Sequence, residues 1–272
     1  MGDALRAIGQ TLSNLGYANP RLQPSGKLTF RLQRLLSYYN KQDLPPDRVK
    51  PIPIQLLQTT CNTLRLASHP RSDTLADMLT LGFFFLLRPG EYAHTTNPES
   101  APFRLVDVHL HRDNIRINHL LAPLHILSTA MFVCLEFTTQ KNGVRGELIG
   151  MGRSGHPSFC PVQACINRIT HLRQHSALPY TPLYSYFVTN WFGVSTTTLT
   201  TELRLAVTAL GAEVGLTPTD VSIRSLCASG AMALLCAQVD PNQIRLLGRW
   251  RSDKMLRLLY ILASCNKSLC NN

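Results

Sequence analysis

The chain has 272 residues, with 27 Lys plus Arg against 16 Asp plus Glu and a formal net charge of +11. Hydrophobic residues make up 44% and charged residues only 16%, which excludes an intrinsically disordered chain and leaves enough length for one large domain or two small ones. The positive excess points to a polyanion, either nucleic acid or an anionic membrane surface.

The first pattern is helical. Ala4, Leu5, Ile8, Leu12 and Leu15 recur at helical spacing within residues 1–19, and Gly16 followed by Pro20 gives the stop signal. Leu28, Leu32, Leu35, Leu36 and Tyr39 form one stripe over 28–40. Seven bases and two acids lie between residues 21 and 50, among them Arg31, Arg34 and Lys41. Two short helices do not make a domain, so residues 1–45 read as the end of a helical domain whose beginning lies outside this sequence. Leu44–Pro53 holds four prolines, the composition of a stiff extended linker, and a domain boundary is expected over 46–53.

A helix over 54–68 follows. Ser72 and Asp73 can cap a second one running from Thr74 to Leu87, which is apolar nearly all round and therefore central. It stops at Arg88-Pro89-Gly90. Alternation then takes over: Val106, Val108 and Leu110 interleave with polar residues, Arg112-Asp113-Asn114 form a turn, and Ile115 and Ile117 resume the alternation. A second hairpin is expected from Phe132–Thr139 and Val144–Ile149 around Asn142-Gly143, because both residues of that turn type need positive φ. Lys141 and Arg145 flank this turn. From residue 161 onward the pattern is helical, over 161–175, 196–214, 219–237, 241–247 and 252–263, with Pro241 at a favoured helix start. The expected fold class is mainly α with a small antiparallel β-sheet, an α+β domain over 54–264 with a tail at 265–272.

Eight cysteines, at 61, 134, 160, 165, 227, 236, 265 and 270, form no C-x-x-C pair. They read as reduced, mostly core thiols of an intracellular protein, and no metal site or other cofactor is expected. Residues 1–9 lack the apolar stretch of a signal peptide. The most apolar runs, 79–87 and 120–135, fall short of the about 20 residues a spanning helix needs, so no membrane partner is expected.

The chemistry-bearing features come in order. Arg88 follows the apolar helix, with Glu91 placed to orient it. Lys141 sits on a hairpin tip. In the small-residue helix from Arg224 to Leu235, Arg224 and Cys227 share a face at i and i+3. Arg245, Arg249, Trp250, Arg251 and Lys254 then interleave positive charge with an indole, a pattern suited to a phosphate backbone. Each has a bland counterpart: a structural Arg–Glu pair, a solvated turn lysine, ordinary close helix packing. Two motifs are decoys. His111-Arg112-Asp113-Asn114 resembles a kinase catalytic loop but lacks the companion motifs. His171 and His175 lack the intervening acid of a metalloprotease helix and read as a solvated face.

Taken together, Arg88-Pro-Gly-Glu91, Gln140-Lys-Asn-Gly-Val-Arg-Gly146, the helix 224–235 and Leu246-Leu-Gly-Arg-Trp-Arg-Ser-Asp253 resemble the tyrosine recombinase (phage integrase) family, most of all its divergent copies in eukaryotic retroelements and transposons. The similarity covers roughly residues 50 to 263, and residues 1–45 resemble the end of that family's helical, SAM-like core-binding domain. The resemblance implies DNA recombination and integration without metal or cofactor. A tyrosine attacks a phosphodiester to give a 3′-phosphotyrosyl link, arginines stabilise the charge, and a hairpin lysine protonates the leaving oxygen. By position it implies Arg88 as the first phosphate-binding arginine, Lys141 as general acid, and Arg249 or Trp250 at the His/Trp position.

Two positions depart from the family pattern. The motif His-x-x-Arg falls on Arg224-Ser-Leu-Cys227, so Cys227 stands where the second catalytic arginine belongs. The nucleophile position falls near Leu258 or Leu259, and the nearby tyrosine is Tyr260, which is rotated by about 200° on a helix if displaced by two residues. A thiol offers neither the fixed charge nor the bidentate fork of a guanidinium. The expectation is therefore a DNA-binding protein with a damaged active site. Two alternatives stand beside it: an active recombinase using Tyr260, and a decayed element copy without function. The implied partner is double-stranded DNA, bound by a homo-oligomer, and the implied compartment is intracellular, nuclear in a eukaryote.

Overall fold

The computed structural model describes residues 2–42, 49–97, 100–138, 146–250 and 255–256. The chain divides into two compact units, residues 1–48 and 49–272. In the first, α1 (Gly2–Asn14) ends before Gly16, whose φ of 81° is the left-handed turn that glycine permits. An antiparallel bridge between Leu22 and Leu28 leads into α2 (Phe30–Gln42). Ile8, Leu15, Phe30 and Tyr38 of this unit are all exposed.

The second unit is α+β. Residues 49–53 are extended but are not a free spacer. Ile52 is buried, its N–H donates to Ser229 Oγ at 2.8 Å, and the Lys50 N–H donates to the Asp220 carbonyl at 2.8 Å. The helix α3 (Ile54–Leu66) packs on α4 (Pro70–Phe84). Contrary to the expected cap at Ser72 and Asp73, α4 begins at Pro70, and His69 caps it by accepting the Arg71 N–H on Nδ1 at 3.1 Å. Proline at the first helical position loses no hydrogen bond, which shifts the start upstream. Every residue of α4 from Thr74 to Phe83 is buried, and α3, α7 (Pro161–Gln174) and α9 (Ser225–Cys236) pack around it.

After α4 come a short helix α5 (Pro89–Tyr92), a 3-10 turn at 105–107 and the strands β1 (Val108–Arg112) and β2 (Ile115–Ile117). A one-turn helix α6 (Leu124–Leu127) precedes β3 (Phe132–Phe137) and β4 (Glu147–Gly152). The four strands form one antiparallel sheet in the order β2-β1-β3-β4. Val108 opposes Leu135 and Leu110 opposes Val133, and all four are buried, so the alternation in the sequence sets which face meets the helices.

The strands β5 (Ser185–Phe187) and β6 (Trp191–Gly193) make a second, two-stranded sheet before α8 (Thr196–Leu210). The helix α8 ends earlier than the pattern suggests because Gly211–Val214 tightens into a 3-10 turn. The helix α9 starts at Ser225, not 219, because Pro218–Asp220 is a separate 3-10 turn closed by Asp220 Oδ2 accepting the Thr217 N–H at 2.8 Å. The helix α10 (Pro241–Leu247) is capped by Asp240, whose Oδ1 accepts the Asn242 N–H at 2.8 Å. The expected helix 252–263 lies almost wholly outside the described residues. Among the described residues no helix is long and apolar enough to cross a membrane. The reduced-thiol expectation needs one correction: Cys61, Cys134, Cys160, Cys165 and Cys227 are free, but Cys236 is disulfide-bonded. Sequence spacing does not determine pairing, which is why it was not readable.

Candidate functional site

The site is built where α4 ends. Phe85, Leu86 and Leu87 are all buried, so the chain reverses inside the core, with Leu86 in the left-handed region at φ 49° and the Leu87 N–H returning to the Gly82 carbonyl at 3.1 Å. The carbonyls of this last turn carry the partial negative charge of a helix C-terminus. Arg88 then leaves the core in extended conformation, with Pro89 opening α5. Its side chain is 34% exposed. One turn on, the Glu91 carboxylate accepts the Arg88 N–H on Oε2 at 2.8 Å and faces Arg88 Nη1 across 3.6 Å on Oε1. The expected Arg88–Glu91 pairing is thus present, though loose between the side chains.

The second wall is α9. Its small residues serve close packing: a Cβ at Gly230 would lie 2.2 Å from the Phe83 carbonyl oxygen, so the backbones of α9 and α4 touch. Tyr92 ties α5 to the start of the same helix by donating to the Ile223 carbonyl at 3.1 Å, and its ring fills the space beside Gly82. Cys227 lies one turn before Gly230 and faces the charged cluster. Burial pushes its thiol up to about 11, with Glu91 adding to the rise and Arg249 and Arg88 opposing it, so the group is neutral at pH 7.

The third element is the turn after α10. Arg249 has φ 55°, the left-handed region that a side chain disfavours, and its side chain is 1% exposed. Nη2 donates to Glu91 Oε2 at 2.9 Å and to the Leu86 carbonyl at 3.3 Å, while Nη1 donates to the carbonyls of Phe85 at 3.3 Å and Leu247 at 3.2 Å. The guanidinium also stands 4.0 Å from the centroid of the Phe137 ring. Arg249 therefore holds the turn that follows α4 from within. Arg249, expected at the His/Trp position, thus turns both terminal nitrogens to the carbonyls of Phe85, Leu86 and Leu247 and to Glu91, while its buried Nε has no partner among the described residues. Trp250 follows with its indole over Gly248, against the cluster of Leu86, Ala231, Met232 and Ile244.

Arg88 and Arg249 thus converge on Glu91 from two separated stretches of the chain, and Cys227, on a third, feels the charges of all three. Arg224 is exposed at the N-cap of α9, one turn from Cys227, and among the described residues its guanidinium has no partner. Arg245 is partly buried in the last turn of α10. In the other unit, Arg31 and Arg34 lie on α2 and line an open groove of about 530 Å³ with Phe30, Leu35 and Tyr38, and Arg34 stands 5.6 Å from the Phe30 ring centroid. Lys41 belongs to the last turn of α2. Lys141, Arg145, Arg251, Lys254 and Tyr260 lie outside the described residues. His171, read as solvated, is instead engaged: its Nε2 accepts the Phe187 N–H at 2.9 Å, while His175 stacks on the Phe187 ring.

Sequence reasoning missed two contributors. Phe137 reads as an ordinary strand residue, and Tyr92 as the end of a Pro-Gly-Glu-Tyr turn. Only the tertiary fold brings either to the site. Among the described residues no cluster of three or more metal-ligating side chains occurs. Chemically, the arrangement offers one partly exposed guanidinium to an external anion, a second cation held internally, and a neutral thiol within their electrostatic reach. No protein-family model matches the chain, and no curated protein matches it either.

Proposed function

We propose that this chain is a DNA-binding protein of the tyrosine recombinase type, descended from an integrating element, whose active site no longer cuts DNA. The meeting of Arg88 and Arg249 at Glu91, within electrostatic reach of Cys227, carries this reading, because the motifs resembling that family lie 139 and 22 residues apart in sequence. The element order agrees with it: an apolar helix, a partly exposed arginine, an antiparallel sheet whose β3–β4 connection spans Lys141, then α9 and α10. The net charge of +11 suits double-stranded DNA as the partner, bound inside the cell by more than one copy of the chain. Loss of cleavage follows from the chemistry. Cys227 holds no positive charge, Arg249 is turned inward, and loss of one oxyanion-binding group alone costs about 10²- to 10³-fold in rate.

Fluorescence anisotropy with labelled duplex and with a four-way junction, over a salt series, tests the reading. The expected result is binding that weakens with salt, prefers the junction, and leaves no covalent adduct on denaturing gels. A 3′-phosphotyrosyl adduct from the unmodified protein would establish an active recombinase instead. Absence of binding at low salt would remove the DNA-binding reading altogether.

A further inference from the structure

Glu91 is a single carboxylate between two arginines, and the two are not held alike. Its Oε2 takes the short bond from Arg249 Nη2 at 2.9 Å and the Arg88 backbone N–H at 2.8 Å. Arg88 Nη1 stands 3.6 Å from Oε1, beyond hydrogen-bond range, and Arg88 Nη2 makes only a 3.4 Å bond to the Arg249 carbonyl. The Arg249 side chain is 1% exposed and that of Arg88 is 34% exposed. Charge-assisted bonds at short range dominate such a competition, and most strongly in a dry site. The backbone of Arg249 takes part as well. Its left-handed φ of 55° lets one residue send its guanidinium inward to Glu91 while its carbonyl meets the guanidinium of Arg88. Such strain persists where the surrounding structure holds it in place.

We propose that Arg249 is the positioning residue of this site: it neutralises Glu91, so that the Arg88 guanidinium is left to bind a phosphate oxygen of DNA. The inference rests on the DNA-binding reading above. Without the Arg249 charge, Glu91 is a nearly buried carboxylate whose one remaining cation is Arg88. It then draws Arg88 into the bidentate pair that Arg249 now prevents, and the outward-facing cation is lost. With both charges removed, Arg88 has no competitor for the phosphate and faces outward again. A merely structural arginine leaves the salt slope of a folded variant unchanged, since that slope counts phosphate contacts and not stability.

The test is the slope of log affinity against log salt for labelled duplex DNA, measured on the full chain for the unmodified protein, R88Q, R249Q and E91Q/R249Q, each shown to be folded by circular dichroism. Each phosphate contact contributes about −0.9 to that slope. Expected is a slope shallower by about that amount in R88Q and R249Q, and the original slope in E91Q/R249Q. A folded R249Q with unchanged slope, or a double variant as shallow as R249Q, overturns the proposal. Should R249Q fail to fold, R249H replaces it: a slope shallower at pH 8 than at pH 6, absent from the unmodified protein, supports the proposal, and a slope independent of pH overturns it. An unchanged slope in R88Q has a different meaning, because it removes Arg88 from the DNA contact and with it the functional reading itself.

Discussion

Gly230 on α9 lies against the carbonyl oxygen of Phe83 on α4, and a Cβ at that glycine would stand 2.2 Å from the oxygen and 2.5 Å from Leu86 Cδ2. The Phe83 carbonyl belongs to the backbone of a buried helix, so it cannot move aside as a flexible side chain would. The contact therefore fixes how far α9 is from α4 and, one turn away, how close Cys227 comes to Arg88 and Glu91. Gly230→Ala is expected to force the helices apart and to destabilise the second unit by about 1 to 3 kcal/mol, the usual cost of overpacking. Thermal unfolding followed by circular dichroism checks this. An unchanged midpoint would mean that the helices do not meet at this glycine.

Cys227 is expected to be an unreactive thiol. With its pKa pushed up to about 11 by burial, it carries far less thiolate at pH 8 than an unperturbed cysteine. Alkylation with iodoacetamide, quantified on the Cys227 peptide by mass spectrometry, should be about two orders of magnitude slower than for an exposed cysteine at that pH. Because Glu91 raises this pKa and Arg249 lowers it, E91Q should speed the reaction and R249Q should slow it. Fast alkylation of the unmodified protein would show that Cys227 is not enclosed by α9 and the Arg249 turn.

Restoring an arginine at position 227 is expected to fail on its own. Cys227→Arg brings a third guanidinium to the single carboxylate of Glu91, which already serves Arg88 and Arg249. The expected destabilisation is about 1 to 3 kcal/mol, and C227R/R249Q should recover at least 1 kcal/mol of it, as interacting neighbours do. Urea denaturation of the two single variants and the double variant gives the coupling energy directly. Strict additivity would show that positions 227 and 249 do not share one electrostatic site.

His171 supplies a pH dependence. Burial lowers its pKa to about 4, with Arg168 and His175 acting in the same direction, from an ordinary value of 6.5. The folded state therefore resists protonation more than the unfolded state does. Its contribution to stability is complete above about pH 6.5 and is lost as pH falls from there toward 4. After allowance for solvent screening the loss is about 1 to 2 kcal/mol. His171→Gln keeps an acceptor for the Phe187 N–H but cannot titrate, so it should flatten this part of the stability profile. Denaturation at pH 7 and pH 4.5, compared between the two proteins, isolates the effect from the carboxylates that titrate in both.

Periodicity made much of the second unit legible. The alternation of Val108 and Leu110 gave β1 its buried face, and the all-apolar run ending in Phe83-Phe84-Phe85 gave α4 its central place. What stayed hidden depends on partners far along the chain. The strands β5 and β6 are three residues each and show no alternation; they are held by Phe187 stacking on His175 and packing edge-on to Trp191. The true cap of α4, His69, is not among the residue types that usually signal a helix start. At the candidate site, Arg88 and Glu91 were readable because they are three residues apart and pair locally. The inward turn of Arg249 was not. It depends on the carbonyls of Phe85 and Leu86, which are 164 and 163 residues away in sequence.

The bond from Ile52 to Ser229 spans 177 residues. During synthesis Ile52 leaves the ribosome long before α9 exists, and at about 5 to 20 residues per second the wait is roughly 9 to 35 s. Throughout that interval the Ile52 N–H lacks its acceptor and α4 lacks one of its walls. The second unit is therefore completed only once residue 229 has been made, and a nascent chain arrested before that residue should be a better chaperone client than the released protein.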